Sequence, residues 1–288
     1  MIADPGLTRL AADNRRRAIV LLLAAGAGAG LVVGLVSVVV VAPLVALVIF
    51  MVVTAAACAA GWWGCEPLAR RLIGARAADP AHHARLYNLV DGLCVSAGLP
   101  APALHIVDDD GLNALSMGHS PRRASLVVTR GLVEQLSRIE LEAVVAHELA
   151  HIKSDDILTA TVAVALFGIF GAPARAAASG GIRAAGAILL VPVSALAGLG
   201  LRAAAAPQRE ERADLSGVAL TRYPPAMVAA LEKLQGERSL LRRASPATAH
   251  LWLGAPAAAP AGDRLRWLTD LFETHPPIGE RIQALREL

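Results

Sequence analysis

Charged and aromatic side chains are both scarce in this chain of 288 residues. Only 18% of the residues are charged, against about 25% in ordinary soluble domains, and only 3% are aromatic. Hydrophobic residues make up 55% of the chain, which excludes an intrinsically disordered protein and argues against a purely soluble one. No basic segment is interleaved with aromatic residues, so we expect no nucleic-acid partner.

Cysteine is also rare. Cys58, Cys65 and Cys94 are odd in number and form no CxxC pair. This spacing argues against a disulfide framework and is typical of a protein in a reducing compartment. We expect all three to be small buried or lipid-facing side chains.

The longest segment without charge lies between Arg17 and Glu66. A single helix of that length would be about twice as long as the hydrocarbon core of a bilayer is thick. Pro43 interrupts the segment, which favours two membrane spans near residues 18–40 and 44–62. A cleaved signal peptide is the alternative, but the apolar stretch is too long for one.

Basic residues flank this hairpin on both sides. Arg15, Arg16 and Arg17 precede the first span, and Arg70 and Arg71 follow the second, whereas the turn between the spans carries no charge. The positive-inside rule therefore predicts a multi-pass protein of the cell (inner or plasma) membrane, with its polar part facing the cytoplasm. Membrane lipid is an expected partner.

Two further charge-free stretches cover residues 157–174 and 184–201, with Arg175 and Arg183 between them. Each is at the short limit for spanning a bilayer. They form either a second transmembrane hairpin or a hairpin that lies in the interface or packs on the domain. The expected division of the chain is 1–65, 66–156, 157–201 and 202–288.

The polar remainder predicts short strands among helices. Ser137 and Glu140 form a capping box that begins a helix over 137–154. β-Branched runs predict strands over 104–107 and 124–129, and a mobile loop is predicted over 243–262. Further helices are predicted over 80–97, 131–136, 203–220, 224–236 and 278–287. The fold class is thus mainly α with a small β-sheet (α+β).

The strongest motif is His147-Glu148-Leu149-Ala150-His151. Histidines four residues apart on a helix share one face and can bind one ion, and Glu148 is placed to act on a water beside it. The apolar residues around the motif predict a buried setting, in which two histidines and a glutamate need a function. We therefore predict one Zn²⁺ per chain, held by His147 and His151.

A catalytic zinc needs a third protein ligand. Glu210 and Asp214 are four residues apart in a predicted helix, so that one can bind the metal while the other orients a ligand. The alternative is an ordinary solvated charged face.

The order of motifs resembles the M48 metallopeptidases, and within them the HtpX-like membrane proteases. The resemblance rests on 113–118 (Asn-Ala-Leu-Ser-Met-Gly), 147–151, 209–214 (Arg-Glu-Glu-Arg-Ala-Asp) and 274–282 (Thr-His-Pro-Pro-Ile-Gly-Glu-Arg-Ile). It implies a gluzincin-type zinc protease domain with an N-terminal transmembrane hairpin and a second hydrophobic hairpin after the HExxH helix. Leu115 and Glu211 stand where the family has aromatic residues, which affects local packing and substrate preference.

Carried over to this chain, the resemblance implies zinc held by His147, His151 and Glu210, with Glu148 as the catalytic base. Asp214 is then expected to accept a hydrogen bond from a ligand imidazole. His275 is a candidate oxyanion donor, with a structural role for its motif as the alternative. Arg281 is expected to pair with a buried carboxylate rather than with substrate. Asn113 begins a turn that is either an edge strand for substrate or an ordinary loop.

These expectations describe a membrane-bound zinc endopeptidase that hydrolyses peptide bonds in unfolded or damaged proteins, including membrane proteins. Zinc would activate water, Glu148 would accept its proton, and peptides or proteins would be the substrates. The alternative is a metal-binding membrane scaffold without proteolytic activity that binds partner proteins. The oligomeric state is not predicted.

Overall fold

The structure, a computed structural model, describes residues 5–40, 43–164, 208–236, 251–254 and 276–288. Two long helices come first, α1 (Pro5–Val40) and α2 (Pro43–Ile73). Both reach past the predicted spans into the charged flanks, because a helix needs no interruption where the chain leaves the apolar stretch.

Small residues set the spacing of this helical hairpin. A Cβ on Gly30 would lie 2.1 Å from Thr54 Oγ1, and one on Gly26 would lie 2.3 Å from Cys58 Sγ. The partners move back along α2 as the positions advance along α1, so the two helices are antiparallel. Close backbone approach at small residues is the usual way in which helices associate in lipid.

Among the described residues, α2 is the one helix that is long and apolar enough to cross a membrane, judged by length and composition. Large apolar side chains are exposed on the hairpin, among them Leu23, Leu31, Leu44, Leu47 and Val52. Such an apolar surface is unfavourable in water. The multi-pass arrangement and its orientation stay predictions.

A four-stranded mixed sheet follows the hairpin. Its strands are β1 (Arg76–Ala77), β2 (Ala103–Val107), β3 (Ala114–Ser120) and β4 (Arg123–Thr129), in the order β1-β2-β4-β3. β2 and β4 are parallel, and the other two pairs are antiparallel. β3 therefore forms one edge of the sheet.

Six helices of the polar part of the chain lie within the described residues, besides the helical stretch at 157–164. They are α3 (Ala84–Ala97), α4 (Arg130–Gln135), α5 (Arg138–Lys153), α6 (Arg209–Thr221), α7 (Pro224–Gly236) and α8 (Ile278–Arg286). The predicted capping box is confirmed, since Ser137 accepts from the Glu140 N–H and the Glu140 carboxylate accepts from the Ser137 N–H.

The two faces of the sheet pack against different partners, because successive side chains of a strand point to opposite sides. Leu126 and Val128 of β4 face the main core with α3, α5, α7 and α8. Val127 of β4, with Leu115 and Met117 of β3, packs against Ala69 and Ile73 at the end of α2. The hairpin is thereby attached to the back of the sheet.

The described part of the third apolar stretch, residues 157–164, is helical and buried throughout. Leu158 and Val162 pack against Ala18 and Leu22 of α1, whereas Ala160 and Val164 pack on the sheet. These eight residues are thus a wedge between the hairpin and the sheet. The rest of this stretch and the whole of 184–201 lie outside the described residues.

Three predictions of secondary structure need correction. The helix expected from residue 80 begins at Ala84, because the Asp79 carboxylate caps a separate turn through the N–H of Ala81. Residues 114–120 were not predicted as a full strand, yet they form β3. Residues 251–254, within the loop predicted to be mobile, are buried and hydrogen-bonded to β3.

Candidate metal centre

Three buried side chains from α5 and α6 converge on one point. The Nε2 atoms of His147 and His151 are 3.0 Å apart. Glu210 Oε2 lies 3.5 Å from Nε2 of His147, and Glu210 Oε1 lies 3.6 Å from Nε2 of His151. Ligand atoms about 2.0–2.2 Å from a tetrahedral zinc are about 3.3–3.6 Å from one another. The donor set and its spacing fit a zinc ion.

A glycine allows the two ligand-bearing helices to approach. A Cβ on Gly217 of α6 would lie 2.9 Å from the backbone nitrogen of His147. Any other residue there would force α6 away from α5, and with it Glu210, two turns earlier on the same helix.

Each histidine has a carboxylate behind it. Asp214 Oδ1 is 2.8 Å from His147 Nδ1, and Asp156 Oδ2 is 2.9 Å from His151 Nδ1. When Nδ1–H donates to a carboxylate, the Nε2 lone pair is left for the metal and the ring is held in orientation. At His151 the contact is a hydrogen bond, whereas Asp214 lies within ion-pair distance of His147 Nδ1 without hydrogen-bond geometry. A carboxylate therefore stands behind each imidazole, and both Nε2 atoms face the same point.

A buried arginine balances this negative charge. Arg281 donates from Nε and Nη2 to the two oxygens of Asp214, at 2.8 and 2.7 Å, and its Nη1 is 3.5 Å from Glu210. Burial disfavours ionisation of Asp214, but the hydrogen bonds from Arg281 hold the pKa of its carboxyl below the ordinary value. In the structure Arg281 thus pairs with a buried carboxylate.

The same carboxylate acts on the imidazole in front of it. Burial alone lowers the pKa of His147, but the adjacent Asp214 raises it to about 9. Because a histidine ligand binds metal in its deprotonated form, an ion that binds at neutral pH displaces a proton here.

Glu148 lines a cavity of about 20 Å³ together with His147, His151 and Glu210. Its side chain is buried. The volume holds one water molecule or ion but no peptide. Leu251 and Leu253 complete the wall, so that the segment 251–254 covers the centre.

Asn113 holds that segment in place. Its Nδ2 donates to the Gly254 carbonyl at 2.8 Å, and its Oδ1 accepts from the Gly254 N–H at 3.0 Å. The Leu253 N–H donates to the Ala114 carbonyl of β3, and Arg281 donates to the Leu253 carbonyl. Asn113 is thus buried beside the segment 251–254 and does not line the cavity. His275 lies outside the described residues.

The edge of β3 beside the cavity is partly occupied. The Ala114 carbonyl accepts from Leu253, and the Gly118 N–H donates to Thr161 Oγ1. Backbone groups alternate in direction along an antiparallel strand, so those of Ser116, midway between, also face away from β4. Ser116 lines the cavity as well.

Sequence reasoning missed two functional residues. Asp156, which orients His151, follows the HExxH helix by three residues, and an acidic side chain just past the second histidine was an available signal. Arg209 donates to Glu210 at 3.2 Å and lines the cavity. Although the two residues are adjacent in the sequence, adjacency alone does not predict a contact between their side chains.

Comparison with known proteins agrees with this geometry. A model of "Peptidase family M48" matches residues 80–288. A "Protease HtpX homolog" of Tropheryma whipplei (strain TW08/27) is 38% identical over 236 residues, covering 77% of this chain and 78% of the relative. A namesake from Thermococcus sibiricus is 33% identical over 246 residues, covering 79% and 81%.

Among solved structures, the crystal structure of S. mikatae Ste24p superposes with a TM-score of 0.46 at 19% identity, over 78% of this chain and 55% of that one. Since the family model covers most of the chain, and the relatives exceed 30% identity along most of their own length, this chain belongs to peptidase family M48, a family of metalloproteases.

Proposed function

We propose that this protein is a membrane-bound zinc endopeptidase that hydrolyses peptide bonds in unfolded or damaged proteins, including membrane proteins. The observation that carries the proposal is the triangle of metal-ligand atoms from His147, His151 and Glu210 with Glu148 in the same buried cavity. Family membership adds the reaction class.

The protein side of the reaction follows from this arrangement. A bound zinc ion supplies a Lewis acid that acidifies water and polarises the scissile carbonyl. Glu148 accepts a proton from the water that attacks this carbonyl and delivers the proton to the leaving nitrogen as the C–N bond breaks. Asp214 and Asp156 keep both imidazoles oriented during these steps.

We infer that substrate pairs with the edge of β3 at Ser116. An extended peptide that adds a strand is held through main-chain hydrogen bonds, which require little of its side chains. This mode of binding suits unfolded segments of many sequences. Because the cavity is smaller than a peptide and 251–254 forms part of its wall, we infer that this segment moves when a peptide reaches Glu148.

The cytoplasmic membrane surface is the proposed place of action. Asn14, which precedes the predicted first span, donates to the carbonyl of Ser154 just after the HExxH helix, at 3.0 Å. This contact holds the end of α5 at the base of the hairpin. The centre would then face segments of membrane proteins that emerge from the bilayer.

Glu148→Gln tests the proposal, with Glu142→Gln on the same helix as the matched control. We expect Glu148→Gln to retain one zinc per chain but to cleave casein about 10²–10⁴-fold more slowly, since it removes a general base and no ligand. Glu142→Gln should keep its activity. Zinc-loaded protein whose casein cleavage is absent or indifferent to Glu148 would instead support the non-proteolytic scaffold.

A further inference from the structure

A second and much larger cavity lies behind the metal centre. Its volume is about 560 Å³, within the range of sites for organic ligands. The N-terminal part of α1, the end of α3, the outer face of α5 and one face of α6 form its walls. No step of the proposed hydrolysis uses it.

Most of the lining is apolar, with positive charge added to it. Leu7 and Leu10 of α1 face Leu149 of α5 and Leu215 and Leu220 of α6. Lys153, Arg209 and Arg212 contribute cations, whereas Asp156 is the one carboxylate among the described lining residues, and it is engaged with His151. A ligand complementary to this cavity has an apolar body and an anionic group.

Two of these cations are available to such a ligand. Lys153 and Arg212 are exposed, and neither has a carboxylate within ion-pair distance in the part of the chain that the structure describes. Among the described residues, the Arg212 side chain makes a neutral hydrogen bond, from Nη2 to Gln208 Oε1 at 3.0 Å. Arg209, by contrast, is committed to Glu210.

The position of the cavity points to the bilayer as the source of the ligand. Leu7, Leu10 and Asn14 lie on the turns of α1 just before Arg15–Arg17 and the predicted first span. At 1.5 Å rise per residue, Leu10 is about 12 Å of helix from the first residue of that span. The cavity therefore lies at the depth where phospholipid headgroups meet water.

We propose that this cavity binds an anionic phospholipid, with an acyl chain between α1 and α6 and the phosphate at Lys153 and Arg212. The cations attract the headgroup, and the leucines and alanines of the walls cover the chain. The proposal depends on membrane attachment through the hairpin and not on proteolysis.

A lipid bound in this cavity would affect the metal centre through two residues that line both cavities. Asp156 and Arg209 line both cavities, and they contact His151 and Glu210 respectively. A phosphate close to Arg209 competes with Glu210 for the guanidinium, so bound lipid should alter zinc affinity. The protein would thereby respond to the composition of its membrane.

The test uses zinc-loaded full-length Glu148→Gln protein, so that its outcome does not depend on proteolysis. The protein is reconstituted in phosphatidylcholine vesicles that contain a trace of phosphatidylglycerol with a photoreactive group on one acyl chain. Mass spectrometry then maps the cross-links. We expect them in residues 7–14 and 212–220, and about tenfold fewer with a phosphatidylcholine probe.

Two variants separate the headgroup from the chain. Lys153→Glu with Arg212→Glu should reduce the cavity cross-links at least tenfold, whereas Arg85→Glu with Arg138→Glu, the same charge change at exposed sites outside the cavity, should not. Ala219→Trp fills the cavity and should also remove the cavity cross-links. Val95→Trp, at an exposed position of α3, should leave them unchanged.

Three results would overturn the proposal. Cross-links confined to the span residues 18–62 would mean ordinary annular lipid. Full displacement of the probe by excess inorganic phosphate would mean an anion site without a chain. A copurified peptide in the cavity, found by mass spectrometry of the untreated protein, would mean a protein ligand.

Discussion

The metal-bearing half of the molecule and its helical hairpin bury opposite kinds of group. Around the centre, Glu210, Asp214 and Arg281 are buried with their charges. On the hairpin, leucine and valine side chains are exposed, while glycines lie at the contact between the two helices. Each half would be unstable in the surroundings of the other, because unpaired charge is costly in hydrocarbon and apolar surface is costly in water.

The difference shows two routes to a specific structure. Around the centre, specificity comes from directed contacts such as the paired hydrogen bonds between Arg281 and Asp214. Removal of one partner leaves the other buried without its counter-charge. In the hairpin, specificity comes from the fit of the two helix surfaces. The helices can approach this closely only because a few positions of α1 carry no Cβ. Substitutions should therefore act differently in the two regions.

The largest effect is expected from Arg281→Met. Asp214 and Glu210 would lose their buried cation, at a cost of about 3–5 kcal/mol in the free energy of unfolding of the zinc-free protein. Arg286→Met on the same helix breaks only an exposed pair with Glu232 and should cost less than about 1 kcal/mol. Chemical denaturation of both variants measures the contrast, and equal losses would contradict the directed network.

Asp156→Ala tests the directed contacts without removing a ligand. Loss of the carboxylate behind His151 should weaken zinc binding about 10–100-fold while the fold is retained. Competition with a chromogenic chelator measures this affinity. The exposed Asp91→Ala serves as control, and unchanged affinity in Asp156→Ala would show that His151 needs no orienting partner.

Gly30→Leu tests the shape-based contact of the hairpin. Its side chain would collide with Thr54 and Phe50, which should destabilise the helix pair by about 1–3 kcal/mol. A Cβ on Gly28, two residues away on the same helix, would meet no atom within 4 Å, so Gly28→Leu should be tolerated. SDS-induced unfolding in mixed micelles compares the two, and equal tolerance would show that the helices can separate freely.

A pH-dependent effect is expected where the two regions meet, at His119. Hydrogen bonding to Cys65 and Glu66 at the end of α2 raises the pKa of His119 to about 10. A raised pKa stabilises the fold fully below about pH 6.5, progressively less as the pH rises, and no longer above about pH 10. His119→Gln should therefore flatten the dependence of Tm on pH between these values. An unaltered dependence of Tm on pH would show that the contacts of His119 with Cys65 and Glu66 do not stabilise the fold.

Local patterns predicted much of the metal half. The capping box at Ser137 and Glu140, the strands near 104–107 and 124–129, and the pairing of two histidines on one helical face all depend on residues close in sequence. The edge strand β3 was harder to predict, because its residues are buried on both faces and lack the alternation of a half-exposed strand.

Contacts between distant residues escaped prediction. Asn113 hydrogen-bonds to Gly254 and so fixes a segment that was predicted to be a mobile loop. Asn14 hydrogen-bonds to Ser154, 140 residues further along the chain. Hydrogen bonds between a side chain and a distant backbone group leave no signal in the type of the residue that contributes its backbone. The same holds for the wedge at 157–164, whose composition suits lipid and protein core equally well.

The scarcity of charge by itself located the apolar segments, and the HExxH spacing by itself determined which side chains face one ion. Both are properties of the chain that hold for any helix, since they depend on helical period and polarity alone. Only the tertiary structure decided which carboxylate orients each histidine, what covers the centre and where a second cavity opens, because these depend on which elements meet.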